Sequence, residues 1–151
     1  MSLEQEFELI RRVPIFSTTD PAMQKLLAFS SDRLTYEEGQ LMFNAGDPPD
    51  SAYIVMEGEV DITVPTAKGP LLVNTLTRND VIGEIGIFGD VPRTATAVAR
   101  TRVEALRISR DVFVNVIRSN PDAAIALVKI LADRLAKTTA QLRRMAAESS
   151  R

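Results

Sequence analysis

The sequence predicts a mainly β domain with flanking helices: an antiparallel β jelly-roll barrel over residues 32–109, short N-terminal helices over 1–31 and helices over 110–148, the last of them long. Three observations support this. Apolar residues recur at helical spacing near both ends of the chain. Between 32 and 109, short alternating runs are punctuated by turn residues. Gly39, Gly46, Gly58 and Gly69 fall 7 to 12 residues apart, the rhythm of an antiparallel sandwich or barrel. The 151 residues suffice for one core and are too few for two domains of ordinary size, so 1–151 reads as a single domain.

In chain order, Leu3, Phe7 and Ile10 mark one side of a short amphipathic helix over 3–12. Pro14 and Pro21 interrupt the next segment. Thr19 or Asp20 can cap a second helix, with Pro21 at its first position and Met23, Leu26 and Leu27 as its apolar side. In the middle region Val60, Ile62 and Val64 alternate with Glu59, Asp61 and Thr63 as inward and outward positions of a strand. Long apolar edges invite pairing with other chains, so these strands are expected to roll up or close. Ser109 caps RDVFVNVIRS, and Asn120 and Pro121 open the long helix. Within it Val128, Leu131, Leu135, Thr138, Leu142 and Met145 step by 3 and 4, an a/d seam of about two and a half heptads. That seam either packs on the barrel or pairs with its twin. A helix of about 25 residues outruns a small barrel, which favours a parallel homodimer through the 121–147 helix. No internal repeat or low-complexity linker is present.

Composition excludes much chemistry. There is no Cys and no His, hence no disulfide, thiolate, Ser-His-Asp triad or imidazole metal ligand. An all-carboxylate Mg²⁺ or Ca²⁺ site would remain, but no D-x-[DN]-x-[DN]-G loop supports one. The chain therefore reads as no enzyme, with no catalytic residue, no metal and no cofactor. No run of 18 apolar residues occurs and the start, MSLEQEFELIRR, is too charged for a secretory signal, so the expectation is cytoplasmic and without membrane contact. Charge is uneven: seven basic against fifteen acidic residues up to position 99, and eleven against five from 100 onward. The basic end reads as a solvated helix face. No helix-turn-helix comes after it, so no DNA binding is expected of this chain alone.

The informative stretch is GEIGIFGDVPRTAT, residues 83–96. Gly83 ends a strand, Glu84 to Phe88 can make one helical turn, Gly89 and Asp90 break it, and Arg93 leads into TATAVA. A helix start offers free N–H groups to an anion, and a guanidinium fork suits phosphate oxygens. Thr94 adds a hydroxyl. An ionised carboxylate only accepts, which suits Glu84 to sugar hydroxyls. A ribose joined to a phosphate fits these groups. On spacing alone, a Glu84–Arg93 salt bridge holding a hairpin is the competing interpretation.

The stretch resembles the phosphate-binding cassette of cyclic nucleotide-binding domains, roughly G-E-[LIM]-[AG]-[LI]-x(4)-P-R-[AST]-A-[TSNW]. Gly83, Glu84, Ile85, Gly86, Ile87, then FGDV, Pro92, Arg93, Thr94, Ala95 and Thr96 match it. VPIFSTTDP resembles the family's N-terminal segment and EEGQLMFNAGDPPDSAYIVMEGEVDI its first strands. The resemblance implies a bound cAMP or cGMP. Glu84 would accept from the ribose 2′-OH and Arg93 would clamp the cyclic phosphate. Thr94 and the Ala95 N–H would complete the anion site, with the N–H groups of Gly83 and Ile85 nearby. A Thr at 94 can also reach a guanine 2-amino group, which keeps cGMP beside cAMP. ADRLAKTTAQL resembles the dimer helix of the catabolite activator protein family. There Thr138 and Thr139 fall on a pair that meets the adenine amino group, one from each subunit, and Arg134 on an arginine facing the cassette glutamate.

The function implied is a cyclic-nucleotide sensor that couples binding to movement of its C-terminal helix. The alternatives are the sensor half of a cAMP-receptor-type transcription regulator without its DNA-binding domain here, a regulatory domain partnering an enzyme or channel, and an orphan dimerisation scaffold that binds no cyclic nucleotide.

Overall fold

The computed structural model describes residues 3–149, the side chain of Ile85 excepted. Helix α1 (Leu3–Arg12) buries Leu9 and Ile10. Helix α2 (Pro21–Ser30) is capped by Asp20, whose carboxylate accepts from the Ala22 N–H at 3.0 Å. Thr19, the other capping candidate, instead donates to the Phe16 carbonyl. Leu27 packs inward as expected, whereas Leu26 faces solvent; Gln24 takes an inward position because its Nε2 also reaches the Phe16 carbonyl, at 2.8 Å.

Eight strands come next: β1 (Asp32–Tyr36), β2 (Leu41–Phe43), β3 (Ser51–Glu57), β4 (Val60–Thr66), β5 (Gly69–Leu76), β6 (Val81–Ile82), β7 (Thr96–Ala99) and β8 (Val103–Ser109). They form two four-stranded antiparallel sheets, ordered β1-β8-β3-β6 and β2-β7-β4-β5. No ladder joins the two sheets into one closed barrel among the described residues. Between β6 and β7 lies the short helix α3 (Glu84–Gly89). Gly58 turns β3 into β4 at φ +94°, and a Cβ there would collide with the Arg102 carbonyl, so only glycine fits.

The core has two layers, and β3 explains both. Its sequence SAYIVME shows no alternation because both faces are covered, and every residue but Glu57 is buried. Ala52, Ile54 and Met56 face a helical layer with Ile10, Phe16, Leu27 and Phe113. Tyr53 and Val55 face the other sheet, against Phe43, Val60 and Ala97. The period of two thus routes one strand into two cores.

Helix α4 (Arg110–Ser119) is capped by Ser109 and buries Phe113, Val116 and Ile117. Helix α5 (Pro121–Ser149) has 29 residues but buries only Ala123 and Leu127. At 1.5 Å per residue it runs about 44 Å. Leu131 packs partly on the helical core, while Val128, Leu135 and Leu142 stay 64%, 67% and 59% exposed. No helix is long and apolar enough to cross a membrane among the described residues.

Candidate functional site

Strand β6 ends at Gly83, whose φ of +94° lets the chain enter α3. A Cβ there would run into Arg93 Nη1 and come within 3.1 Å of the Ser51 carbonyl. Gly86 is crowded too: a Cβ there would come within 2.9 Å of Pro49 Cβ and 3.2 Å of the Val91 carbonyl. Asp90 then stops the helix at φ +50°, its N–H returning to the Gly86 carbonyl.

These close approaches place Arg93. Its backbone is clipped to the turn before β3: its N–H donates to the Asp47 carbonyl and its carbonyl accepts from the Gly46 N–H, both at 2.8 Å. Its side chain is almost fully buried. Nη2 donates to the Ser51 carbonyl at 2.6 Å and Nη1 to the Gly83 carbonyl at 3.1 Å. Asp50 lies 3.5 Å away, and the guanidinium carbon sits 4.3 Å over the Phe43 ring. Nε has no partner. Burial pulls the Arg93 pKa below its ordinary value, opposed by Tyr53, Asp50, Asp47 and Glu84.

Glu84 is 1% exposed. It does not pair with Arg93, so the hairpin salt bridge is absent. Its Oε1 accepts from Arg134 Nη1 of α5, whose Nη2 donates to the Val81 carbonyl at 2.8 Å. Glu84 Oε2 is buried without a partner. Burial raises the Glu84 pKa above its ordinary value; Arg134, an N–H of its own backbone and Arg93 oppose this.

A cavity of about 380 Å³ opens here, between the cassette, the inner face of the β4–β5 pair and α5. Gly83, Arg93, Thr94, Ala95, Arg134 and Thr138 line it. Glu84 lies beneath the surface, and Ile85 is placed in the first turn of α3 with its side chain outside the described residues. Thr138 donates its hydroxyl proton to the Arg134 carbonyl at 2.9 Å, leaving its oxygen to accept. Thr139 is apart from the cavity lining and bonds the Leu135 carbonyl. Among the described residues, no group of three or more Asp and Glu side chains could hold a metal.

Sequence reading missed Ser51, Asp50, Phe43, Asn74 and Gln141. Ser51 had a signal, a polar residue heading an otherwise apolar run. Its contribution, a backbone carbonyl, has none.

Residues 33–120 match the family described as "Cyclic nucleotide-binding domain". The chain is 31% identical over 137 residues to a CRP-like cAMP-activated global transcriptional regulator of Mycobacterium tuberculosis, covering 89% of this chain and 61% of that protein. It is 33% identical over 104 residues to a cAMP-dependent protein kinase regulatory subunit of Aspergillus niger, covering 69% of this chain and 25% of that protein. Both matches therefore span only part of those relatives. Among solved structures, the sensor domain of the transcriptional regulator DNR from Pseudomonas aeruginosa superimposes with a TM-score of 0.78 at 25% identity, over 88% of this chain and 90% of that one.

Proposed function

The chain belongs to the family of cyclic nucleotide-binding domains, and from that membership we propose that it senses a cyclic nucleotide, cAMP ahead of cGMP, and passes the event on through α5. The observation that carries the proposal is that Glu84, the carboxylate suited to a ribose, is joined to Arg134 of the long helix. In this reading Arg93 takes the cyclic phosphate, and Gly83, Ile85 and Ala95 supply backbone N–H groups. Thr94 adds its hydroxyl. Thr138 accepts from the base, and Thr139 serves the partner's site in a dimer. The facing sheets are the two halves of a jelly roll, and the domain performs no chemistry.

Ligand binding would engage Glu84 with a ribose hydroxyl and re-set its bond to Arg134, shifting α5 between two positions. Calorimetric titration should give saturable binding of cAMP tighter than that of cGMP. Amide exchange over residues 120–147 should slow at saturating cAMP. Unchanged exchange would remove the coupling, and no heat with either nucleotide would remove the ligand.

The exposed seam favours a homodimer through α5. A soluble monomer rarely leaves Val128, Leu135, Leu142 and Met145 in a row along one helix. Leu135→Glu should turn a sedimentation-equilibrium dimer into a monomer; a wild-type chain that sediments as a monomer would defeat this. Of the wider assemblies, the sensor half of a transcription regulator is favoured, because similarity to the mycobacterial regulator covers 89% of the chain against 69% for the kinase subunit.

A further inference from the structure

The anion end of the cavity holds little spare positive charge. Arg93 is the cation lining it there, and the other cations of the lining, Arg134, Lys137 and Arg144, all stand on α5. Acids gather round Arg93 instead. Asp50 Oδ1 lies 3.5 Å from Nη2, and the carboxylates of Asp47 and Glu84 are also within electrostatic reach of the guanidinium. Two of these acids have a further cation: Arg107 Nη2 stands 3.6 Å from Asp50 Oδ2, and Arg134 is bonded to Glu84. Three arginines thus face three carboxylates, and this cluster is neutral before a ligand arrives.

The turn that carries Asp47 and Asp50 is fixed. Asp47 Oδ2 accepts from the Asn44 N–H at 2.8 Å, and Asp50 Oδ1 accepts from Ser51 Oγ at 2.9 Å. The Asp47 carbonyl takes the Arg93 N–H. An arriving phosphate therefore meets these carboxylates where they stand. The Asp50 side chain is 62% exposed, so water and salt weaken its field without cancelling it.

The charge of the ligand then matters. A phosphodiester carries one negative charge. A phosphomonoester carries close to two at neutral pH, because its second ionisation lies near pH ~6. The first charge is met by Arg93. The second finds no free cation at this end and faces Asp50 and Asp47. Two unit charges about 6 Å apart, at an effective dielectric constant of about 40, repel by an amount equal to a factor of about 10 in affinity.

We propose that Asp50, with Asp47, is a specificity-determining residue that admits a singly charged phosphodiester and turns away a doubly charged monoester of the same nucleoside. This rests on the reading that Arg93 takes the phosphate of a cyclic nucleotide. Selection against an opened ring then follows charge as well as shape.

The test separates the two by calorimetric displacement of cAMP from the full chain at low salt. The competitors are adenosine 5′-monophosphate and its methyl ester, adenosine 5′-(methyl phosphate). Both have the open shape, and at pH 8 they differ by one charge. Wild type should bind the methyl ester at least ~5-fold tighter at pH 8. The gap should close to within ~2-fold at pH 5, where the monoester has lost its second charge. The chain has no histidine, so no imidazole of its own titrates between those values. Asp50→Asn should cut the pH 8 gap at least ~2-fold, and Asp47→Asn/Asp50→Asn should cut it further. Asparagine keeps an oxygen for Ser51 Oγ, so Asp50→Asn should melt within a few degrees of wild type. Equal binding of the two esters by wild type at pH 8, a gap that persists at pH 5, or a gap that both variants leave unmoved would overturn the inference alone. So would open-chain esters that fail to displace bound cAMP, since ring shape would then do all the selecting. If wild type did not bind cAMP, the cyclic-nucleotide reading would fall and the inference with it.

Discussion

Replacing Arg93 with alanine should lower cAMP affinity by about 100-fold or more. Two charge-assisted hydrogen bonds to a phosphate contribute about 1.5–3 kcal/mol each, and about 2.7 kcal/mol is already a factor of 100. The structure adds a reason for the size of the effect. Arg93 is held by the carbonyls of Ser51 and Gly83 and lies over Phe43, so its fork is oriented before ligand arrives. The same contacts give the substitution a second consequence. It strips donors from the buried Ser51 carbonyl and the part-buried Gly83 carbonyl and empties space beside an aromatic ring, so the free domain should lose about 2–4 kcal/mol of stability. Arg93→Lys separates the two effects, because it keeps the charge and loses the planar fork. Calorimetry on folded protein and denaturant melts measure them independently. An alanine variant that binds within about 5-fold of wild type would take Arg93 out of the phosphate site.

Replacing Arg134 with leucine should destabilise the domain by about 3–5 kcal/mol at neutral pH, because it leaves a buried carboxylate without its partner. Glu84 has only one oxygen bonded as it stands, and Arg134 provides that bond. The loss should depend on pH, and its sign is set by Glu84. Its pKa in the folded protein lies above the ordinary value. Such a group contributes stability that is fully present below the unfolded pKa and is lost as pH rises through the folded one. Without Arg134 the folded pKa climbs further, so Arg134→Leu should recover stability as the buffer falls from about pH 8 to about pH 5. The double variant Glu84→Gln/Arg134→Leu should melt closer to wild type and lose that pH dependence. Urea melts across the range check both, and a single variant as stable as wild type at every pH would show that Glu84 is satisfied by other means.

Local signals in the sequence carried much of this molecule. Asp20 before Pro21, Ser109 before RDVFVNVIRS and Pro121 after Asn120 mark helix starts because capping chemistry is local. Glu84 and Arg93 stand out because charges are rare in an apolar, glycine-rich turn. What could not be read was whatever depended on partners far along the chain or on the backbone. The carbonyls of Ser51 and Gly83 that hold Arg93 belong to no residue type. Ile62 pairs with Asn74 and Thr63 with Leu72, so Val73 is an extra residue in β5, and it cancels the alternation that would have assigned Asn74 a face. Leu26 fits an apolar helix stripe by spacing, yet the inward place goes to Gln24 because a carbonyl from Phe16 waits there. The seam of α5 was legible as a pattern, but a pattern does not state what covers it.

The clip between Arg93 and the turn at Gly46 and Asp47 has a pharmacological consequence. It makes the anion end of the cavity part of the rigid frame, while the other end is formed by a helix anchored mainly at its start and through Arg134. In the proposed function, occupancy and response are then separable. A fragment that satisfies only the fixed end, such as a bare sugar phosphate, would compete with the nucleotide and stay silent. Efficacy would grow with the contacts a ligand makes toward α5, so antagonists and agonists of this domain would differ in length before they differ in affinity.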